Sequence, residues 1–460
     1  MKRLSGEAMS INQLVKQQYE EYESKTLKSR EIYLNARNYM PGGDTRSVAY
    51  FKPYPLFIEK AKGCRLYDVD GNVYIDFLNN YTALIHGHAH PRIVEAIKEQ
   101  LERGWLYAAG IESQYKLAKI LCERFPSIRK VRFCNSGTEA TMMAVRAARA
   151  YTGKTKILKM EGGYHGSHPL LDISVSPSME KIGSIEKPLS IPEGPGIPEG
   201  IVKDVLVAPF NNKEAIEKIV KENRRELAAV IVEPMMGVAG MIPPRNDYLK
   251  FLREITLEND ILLIFDEIIT ARLSRGGGQE YFNVVPDLTC LGKIIGGGLP
   301  IGAFGGREDI MDLFSPEREN FIQHSGTFNG NALAMTAGIA SMEELTTSAI
   351  EKINTLGNLL RRNIEKIFEE EEIIGQVTGI GSLYNIHFTK VEIIDYRTAL
   401  TSNREAKTLL HIALINRGIF IAKRGMFNIS TVMTKGEIEE FTNSLRSCIK
   451  LLKPYLPKAG

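Results

Sequence analysis

Paired cysteines are the first thing this chain lacks. Its five cysteines (Cys64, Cys122, Cys134, Cys290 and Cys448) are odd in number, far apart and without a CxxC step, which excludes a disulfide scaffold and a thiolate metal site. They read as reduced thiols in a cytoplasmic protein. Long hydrophobic runs are missing too. Stretches such as Ile261 to Phe265 are of strand length, far below the ~20 residues a membrane helix needs, so no membrane insertion is expected. Met1 to Ser10 starts basic, but Asn12, Gln13, Lys16, Gln17 and Gln18 interrupt anything of signal-peptide length, and export is not expected either. Nor is there a block of one charge. The 58 basic and 55 acidic residues are spread along the chain and leave a net +3, which offers no surface to nucleic acid and points to small-molecule partners. What is present is the composition of a globular protein, 43% hydrophobic and 25% charged, long enough at 460 residues for two or three domains.

Residues 1–89 read as an N-terminal helical arm, over 11–40, followed by short strands that belong to a smaller domain. Pro41-Gly42-Gly43 ends the arm, and Asp70-Gly71 between Arg65–Val69 and Tyr74–Phe77 marks a β-hairpin. Residues 90–345 alternate apolar runs with helical stretches, the runs being Val131–Cys134, Lys156–Met160, Val205–Ala208, Ala228–Val232, Ile261–Phe265 and Leu288–Leu291. This pattern predicts an α/β domain with a mostly parallel sheet flanked by helices. Residues 346–460 predict a small α+β domain: a helix over 348–372, strands at Gly381–Phe388 and Ile419–Ala422, and a last helix opened by the capping box Thr434-x-x-Glu437.

In an open α/β sheet ligands gather at the carboxyl ends of the strands, so the residues that follow each run carry the functional signal. After Val131–Cys134, Ser136 and Glu139 have capping-box spacing, and Gly137 with Thr138 exposes helical N–H groups to an anion. Taken alone, the same residues also suit an ordinary capped helix. After Ile261–Phe265 come Asp266 and Glu267, carboxylates that need a cation or strong donors if buried, or that cap the next helix. After Leu288–Leu291 comes Lys293, followed by Gly296-Gly297-Gly298. A lysine between a buried strand and such a loop is a candidate amine nucleophile, or else it reaches back to solvent. Together the three strand ends supply an anion cradle, a carboxylate and an amine. Pyridoxal 5'-phosphate has a phosphate, a basic ring nitrogen and an aldehyde to match them.

The chain resembles the fold-type I, class III aminotransferases, in the group of glutamate-1-semialdehyde 2,1-aminomutase. The resemblance rests on Met40-Pro-Gly-Gly43, Leu66-Tyr-Asp-Val-Asp-Gly71, Gly87-His88-Ala89-His90-Pro91, Val131 to Ala140, Gly163-Tyr-His-Gly166, Ile264-Phe-Asp-Glu267, Pro286 to Lys293 and Ser325 to Asn331. It implies a seven-stranded-type sheet and a Schiff base between Lys293 and the cofactor. It also implies Asp266 at the ring nitrogen, Tyr164 against the ring, and Ser136, Gly137, Thr138 and Glu233 around the cofactor. A homodimer with shared active sites is implied as well, Thr327 coming to the phosphate from the neighbouring subunit. His165 is then a hydrogen-bonding neighbour of the site rather than a metal ligand, and Gly276-Gly277-Gly278 a flexible turn at the subunit boundary, without chemistry.

Departures from the aminomutases bear on the substrate. Where those enzymes place a serine and, three residues on, a carboxylate-binding arginine, this chain has Arg46 and Ala49; their asparagine after the Glu-Pro motif is Val238, and the glutamine of other transaminases is Met236. Gly42 to Val48, Tyr81-Thr-Ala83, Thr270 to Leu273, Thr378 to Leu383 and Arg424-Gly425 are instead similar to aromatic β-amino-acid (β-phenylalanine) aminotransferases. That likeness implies carboxylate binding by Arg46 and Arg424, near Tyr81, although each arginine also suits a surface salt bridge. The expectation is ping-pong transfer from an aromatic β-amino acid to 2-oxoglutarate or pyruvate. The alternatives are the 2,1-aminomutase and, further off, a racemase.

Overall fold

The structure, a computed structural model, describes residues 10–456; Met1 to Met9, where no leader is expected, lie outside it. Its centre is a seven-stranded sheet built from β1 (Lys130–Cys134), β2 (Lys156–Met160), β3 (Val205–Ala208), β4 (Leu227–Val232), β5 (Leu262–Asp266), β6 (Leu288–Gly292) and β7 (Gly302–Gly306), in the order β1-β7-β6-β5-β4-β2-β3. All strands run parallel except β7, which is antiparallel to both β1 and β6.

The apolar runs become strands because both faces of the sheet are covered. Along β4, Ala229 and Ile231 enter one apolar layer with Ile264, Leu288 and Phe304, while Val230 and Val232 enter the other with Leu263, Phe265 and Tyr248. The helix Gly137–Thr152 lies on the first layer. Its small face, Ala140, Ala144, Ala147 and Ala148, lets it settle close to the strands.

β7 was not legible in the sequence, since Gly302-Ala-Phe-Gly-Gly306 has little strand character. Its glycines answer to crowding. A Cβ on Gly302 would meet the Ser136 carbonyl oxygen at 2.0 Å, and one on Gly306 the Asp287 carbonyl oxygen at 2.2 Å.

Away from this sheet, the hairpin strands Arg65–Asp68 and Val73–Asp76 are joined by Ile58–Lys62 and, in parallel, by Ile419–Phe420, so early and late segments of the chain share one small sheet. A second small sheet pairs Gln376–Ile380, Leu383–His387 and Met426–Asn428. The N-terminal arm forms two helices, Ile11–Lys25 and Leu27–Ala36, the first opened by a Ser10–Gln13 capping box. The final helix, Lys435–Leu452, starts at the expected Thr434–Glu437 box. Among the described residues no helix is long and apolar enough to cross a membrane.

Candidate active site

The carboxyl ends of β1, β4, β5 and β6 meet around a cavity of about 350 Å³ bordered by Gly137, Thr138, Tyr164, Gly166, Glu233, Asp266 and Lys293. Six of these seven were expected site residues; Gly166 is the addition.

At the end of β1, Ser136 caps the helix by accepting from the Glu139 N–H at 3.2 Å, while the Glu139 carboxylate turns back to the Asn135 N–H at 2.8 Å. The capping-box spacing therefore closes one residue earlier than the usual reciprocal pair, and the Ser136 hydroxyl is engaged in the cap. Thr138 Oγ1 accepts from the Ser167 N–H at 3.3 Å. Gly166, at φ +96°, lies so close that a Cβ there would reach the Thr138 Cα at 2.6 Å, and a Cβ on Gly137 would meet Ile268 Cδ1 at 2.5 Å. Both glycines are required by crowding within the protein, at a helix N-terminus whose free N–H groups suit an anion.

Asp266, 3% exposed at the end of β5, accepts from His165 Nδ1 at 2.9 Å and from the Ile268 N–H at 3.2 Å. Burial lowers the His165 pKa below the usual imidazole range against the pull of Asp266. A neutral ring donating at Nδ1 leaves Nε2 as its acceptor, and Nε2 has no partner. Glu233, just after β4, accepts from the Tyr164 N–H at 3.1 Å and the Gly237 N–H at 2.9 Å; burial first, then the nearby Asp266 charge, pushes it up to about 7. It thus ties the Tyr164 loop to the sheet.

Lys293 follows β6 with φ +50°, a left-handed setting that a lysine adopts only when its surroundings impose it. Desolvation pulls its amine down to about 8, against the opposing pull of Asp266 and Glu233. A lowered pKa means the neutral, nucleophilic form is present at lower pH. Capture of pyridoxal phosphate by the apoenzyme, followed by absorbance, is therefore expected to speed up as pH rises toward about 8 and to level off above it. A rate that keeps climbing well beyond that value would reveal a solvated amine.

The expected substrate residues lie beside this cavity. Arg46 donates to Asn80 Oδ1 at 2.7 Å, and Asn80 itself borders the cavity. Tyr81 donates to the Val48 carbonyl, and the Arg424 guanidinium sits 5.6 Å from the Tyr81 ring centroid. Neither arginine makes an ion pair among the described residues. Thr327 is exposed and does not border the cavity of its own chain.

Three features escaped sequence reading. Asn79 to Thr82 hold four consecutive positive φ angles, from +47° to +75°, a strained turn that presents Asn80 and Tyr81. Lys159 is fully buried in β2 and donates to the Gly163 and Ile173 carbonyls, holding the Tyr164 loop; a lysine inside an apolar run was the available signal. Gly276 to Gly278, expected as a flexible turn, are instead fixed by two carboxylates: the Gly276 N–H donates to Glu280 at 2.7 Å, and the Gly278 and Gln279 N–H groups donate to Glu267 at 2.6 and 2.8 Å. Thr270 Oγ1 also donates to it, so Glu267 is a buried structural anchor.

A bare-backbone anion cradle, a buried carboxylate braced by a neutral histidine and a lysine of lowered pKa fit the three reactive parts of the cofactor. With the parallel sheet that gathers them, they define a fold-type I pyridoxal-phosphate enzyme. The chain belongs to the aminotransferase class-III family, whose sequence profile matches residues 48–449. It is 45% identical to glutamate-1-semialdehyde 2,1-aminomutase of Methanocaldococcus jannaschii over 395 residues, 86% of this chain and 91% of that protein. Among solved structures it is similar to an omega-transaminase from Sphaerobacter thermophilus, with 42% identity, TM-score 0.89, and coverage of 92% of this chain and 97% of that one. It is also similar to a β-phenylalanine aminotransferase from Variovorax paradoxus, with 35% identity, TM-score 0.89, and coverage of 98% and 100%.

These relationships correct the expected substrate. Curated relatives at 41–45% identity, matched over 86–93% of this chain, are glutamate-1-semialdehyde 2,1-aminomutases. The aromatic β-amino-acid aminotransferase expectation, drawn from short motifs around Arg46 and Arg424, does not stand against them. Loop motifs report a cation's position; they do not identify the molecule whose carboxylate it holds.

Proposed function

We propose that the chain is a glutamate-1-semialdehyde 2,1-aminomutase, moving an amino group between neighbouring carbons of one substrate. The carrying observation is the 41–45% identity to proteins of that name across most of the chain. Bound pyridoxal phosphate supplies an electron sink for the carbanion formed when a substrate proton leaves. The chain's residues do the rest. Gly137 and Thr138 hold the phosphate. Asp266, braced by His165, keeps a proton on the ring nitrogen. The Lys293 amine moves the proton at the reacting carbons, and its lowered pKa keeps it competent near neutral pH. Tyr164 would lie against the cofactor ring. Arg46 and Arg424, beside Tyr81, take the substrate carboxylate in place of the arginine that Ala49 replaces.

The protein works in this reading as a cytoplasmic homodimer. Thr327, exposed in its own subunit, reaches the partner's phosphate site. Exposed Trp105, Tyr115 and Phe328 lie on linked backbone: the Ala332 N–H donates to the Trp105 carbonyl and Gln114 to the Gly330 carbonyl. An apolar patch of this kind supports an interface. Unpaired cysteines support the reducing compartment.

Incubation of the purified enzyme with glutamate-1-semialdehyde alone is expected to yield 5-aminolevulinate without any added keto acid. Amino transfer only when 2-oxoglutarate is supplied, with no 5-aminolevulinate formed, would overturn the proposal.

A further inference from the structure

Two glycines, Gly162 and Gly163, stand directly before Tyr164 and give the backbone there freedom to turn. Yet Tyr164 borders the cofactor cavity and His165 braces Asp266, so this stretch has to stay in one place. The peptide group joining Gly163 to Tyr164 is held at both ends by buried ionisable groups of opposite sign. Its carbonyl accepts from Lys159 Nζ at 2.8 Å, and its N–H donates to Glu233 Oε1 at 3.1 Å. Turning that peptide over would bring the carbonyl to a carboxylate and the N–H to an ammonium. The pair therefore opposes the flip that the glycines permit.

Lys159 is fully buried near the end of β2, and its second bond also goes to a carbonyl, that of Ile173. Burial draws it down to about 7 against the pull of Glu233, Glu193 and Asp172. A desolvated ammonium is a costly way to fasten a loop whose carbonyls a neutral donor would also satisfy, so its charge calls for a use. That use lies at His165. A Cβ on Gly163 would stand 3.1 Å from His165 Nε2, which puts the free edge of the ring against the backbone that Lys159 holds. Burial first, and then the Lys159 charge, keep a proton off this ring against the pull of Asp266. The other titratable group beside it, His168, is brought down to about 4, first by burial, and stays uncharged. We infer that Lys159 is a positioning residue for the bound cofactor, fixing Tyr164 through the Gly163 carbonyl and holding His165 in the form that leaves Asp266 its full negative charge. The inference rests on the cofactor and not on which amino compound the enzyme processes.

Lys159→Met tests it with three readouts: amide hydrogen exchange in the cofactor-loaded enzyme, affinity of the apoenzyme for pyridoxal phosphate, and nitrogen NMR of the His165 ring in the apoenzyme. The Tyr164 N–H is expected to exchange about tenfold faster and the cofactor to bind about tenfold more weakly, the loss of a charge-assisted contact, while the β4 amides keep the parent's rates. His165 is expected to take up its proton at higher pH than in the parent, because the opposing cation is gone. Lys159→Gln removes the charge but keeps a neutral donor, so it keeps the test open if the methionine variant does not fold; the His165 titration is expected to move in the same direction. Exchange that rises equally in the β4 amides would show a general stability element and overturn the assignment. So would a folded variant with the parent's Tyr164 exchange, cofactor affinity and His165 titration.

Discussion

Asp266→Asn is expected to lower turnover of glutamate-1-semialdehyde about 10²–10⁴-fold, the usual worth of a positioned proton-holding group. The size of the loss follows from charge rather than shape. Asparagine fills the same space at the end of β5 and still accepts from the Ile268 N–H. Its amide nitrogen would face the His165 Nδ1 proton, but the imidazole can move that proton to Nε2, which has no partner now, and accept at Nδ1 instead. The fold and thermal midpoint are therefore expected to stay near the parent's. On the proposed function, what disappears is the anion that would keep the cofactor nitrogen protonated, and with it the electron sink. Steady-state kinetics and a melting curve on the same preparation separate the two effects. Turnover close to the parent's would remove Asp266 from the chemistry, whereas a collapsed midpoint would make its role structural.

The strand ends were legible because their chemistry is local. Six apolar runs became six strands within one residue at either end, and Lys293, Asp266 and Gly137 followed them within three residues, so sequence adjacency alone placed them on one rim. Contacts that join distant residues were less legible. His165 bracing Asp266 spans 101 positions, and the bond from Lys407 to His387 has meaning only once two small-domain elements pack. Glycine misled twice, since a flexible turn, a strand under backbone crowding and a cage for a carboxylate share one composition. Gly277 and Gly278 belong to the cage and Gly302 to Gly306 are the crowded strand, distinctions that only the neighbours' positions make. The substrate was misjudged for a related reason. Arg46 and Arg424 do flank the site, but neither reveals which carboxylate it meets.

Arg397→Met is expected to destabilise the protein by about 3–5 kcal/mol, the cost of leaving a buried charge without its partner. Arg397 lies on the short helix Tyr396–Ala399 and reaches Glu161, at the end of β2, with two parallel bonds of 2.7 and 2.8 Å. Glu161 is fully buried. The remaining guanidinium hydrogens go to the Gly183, Ile182 and Ser184 carbonyls, so one side chain fastens the C-terminal segment, a long surface loop and the central sheet together. Methionine replaces much of the apolar stem but none of these bonds, and Glu161 is left buried without its cation. Packing loss and charge loss can be told apart by a second background. If the uncompensated carboxylate dominates, Arg397→Met introduced into Glu161→Gln costs far less than it does in the parent, as read from urea midpoints of all four proteins. If the cost is the same in both backgrounds, the carbonyl contacts and packing carry the clamp. Tyr164 stands three residues beyond Glu161, so the single variant is also expected to bind pyridoxal phosphate more weakly, and the double variant to recover part of that affinity.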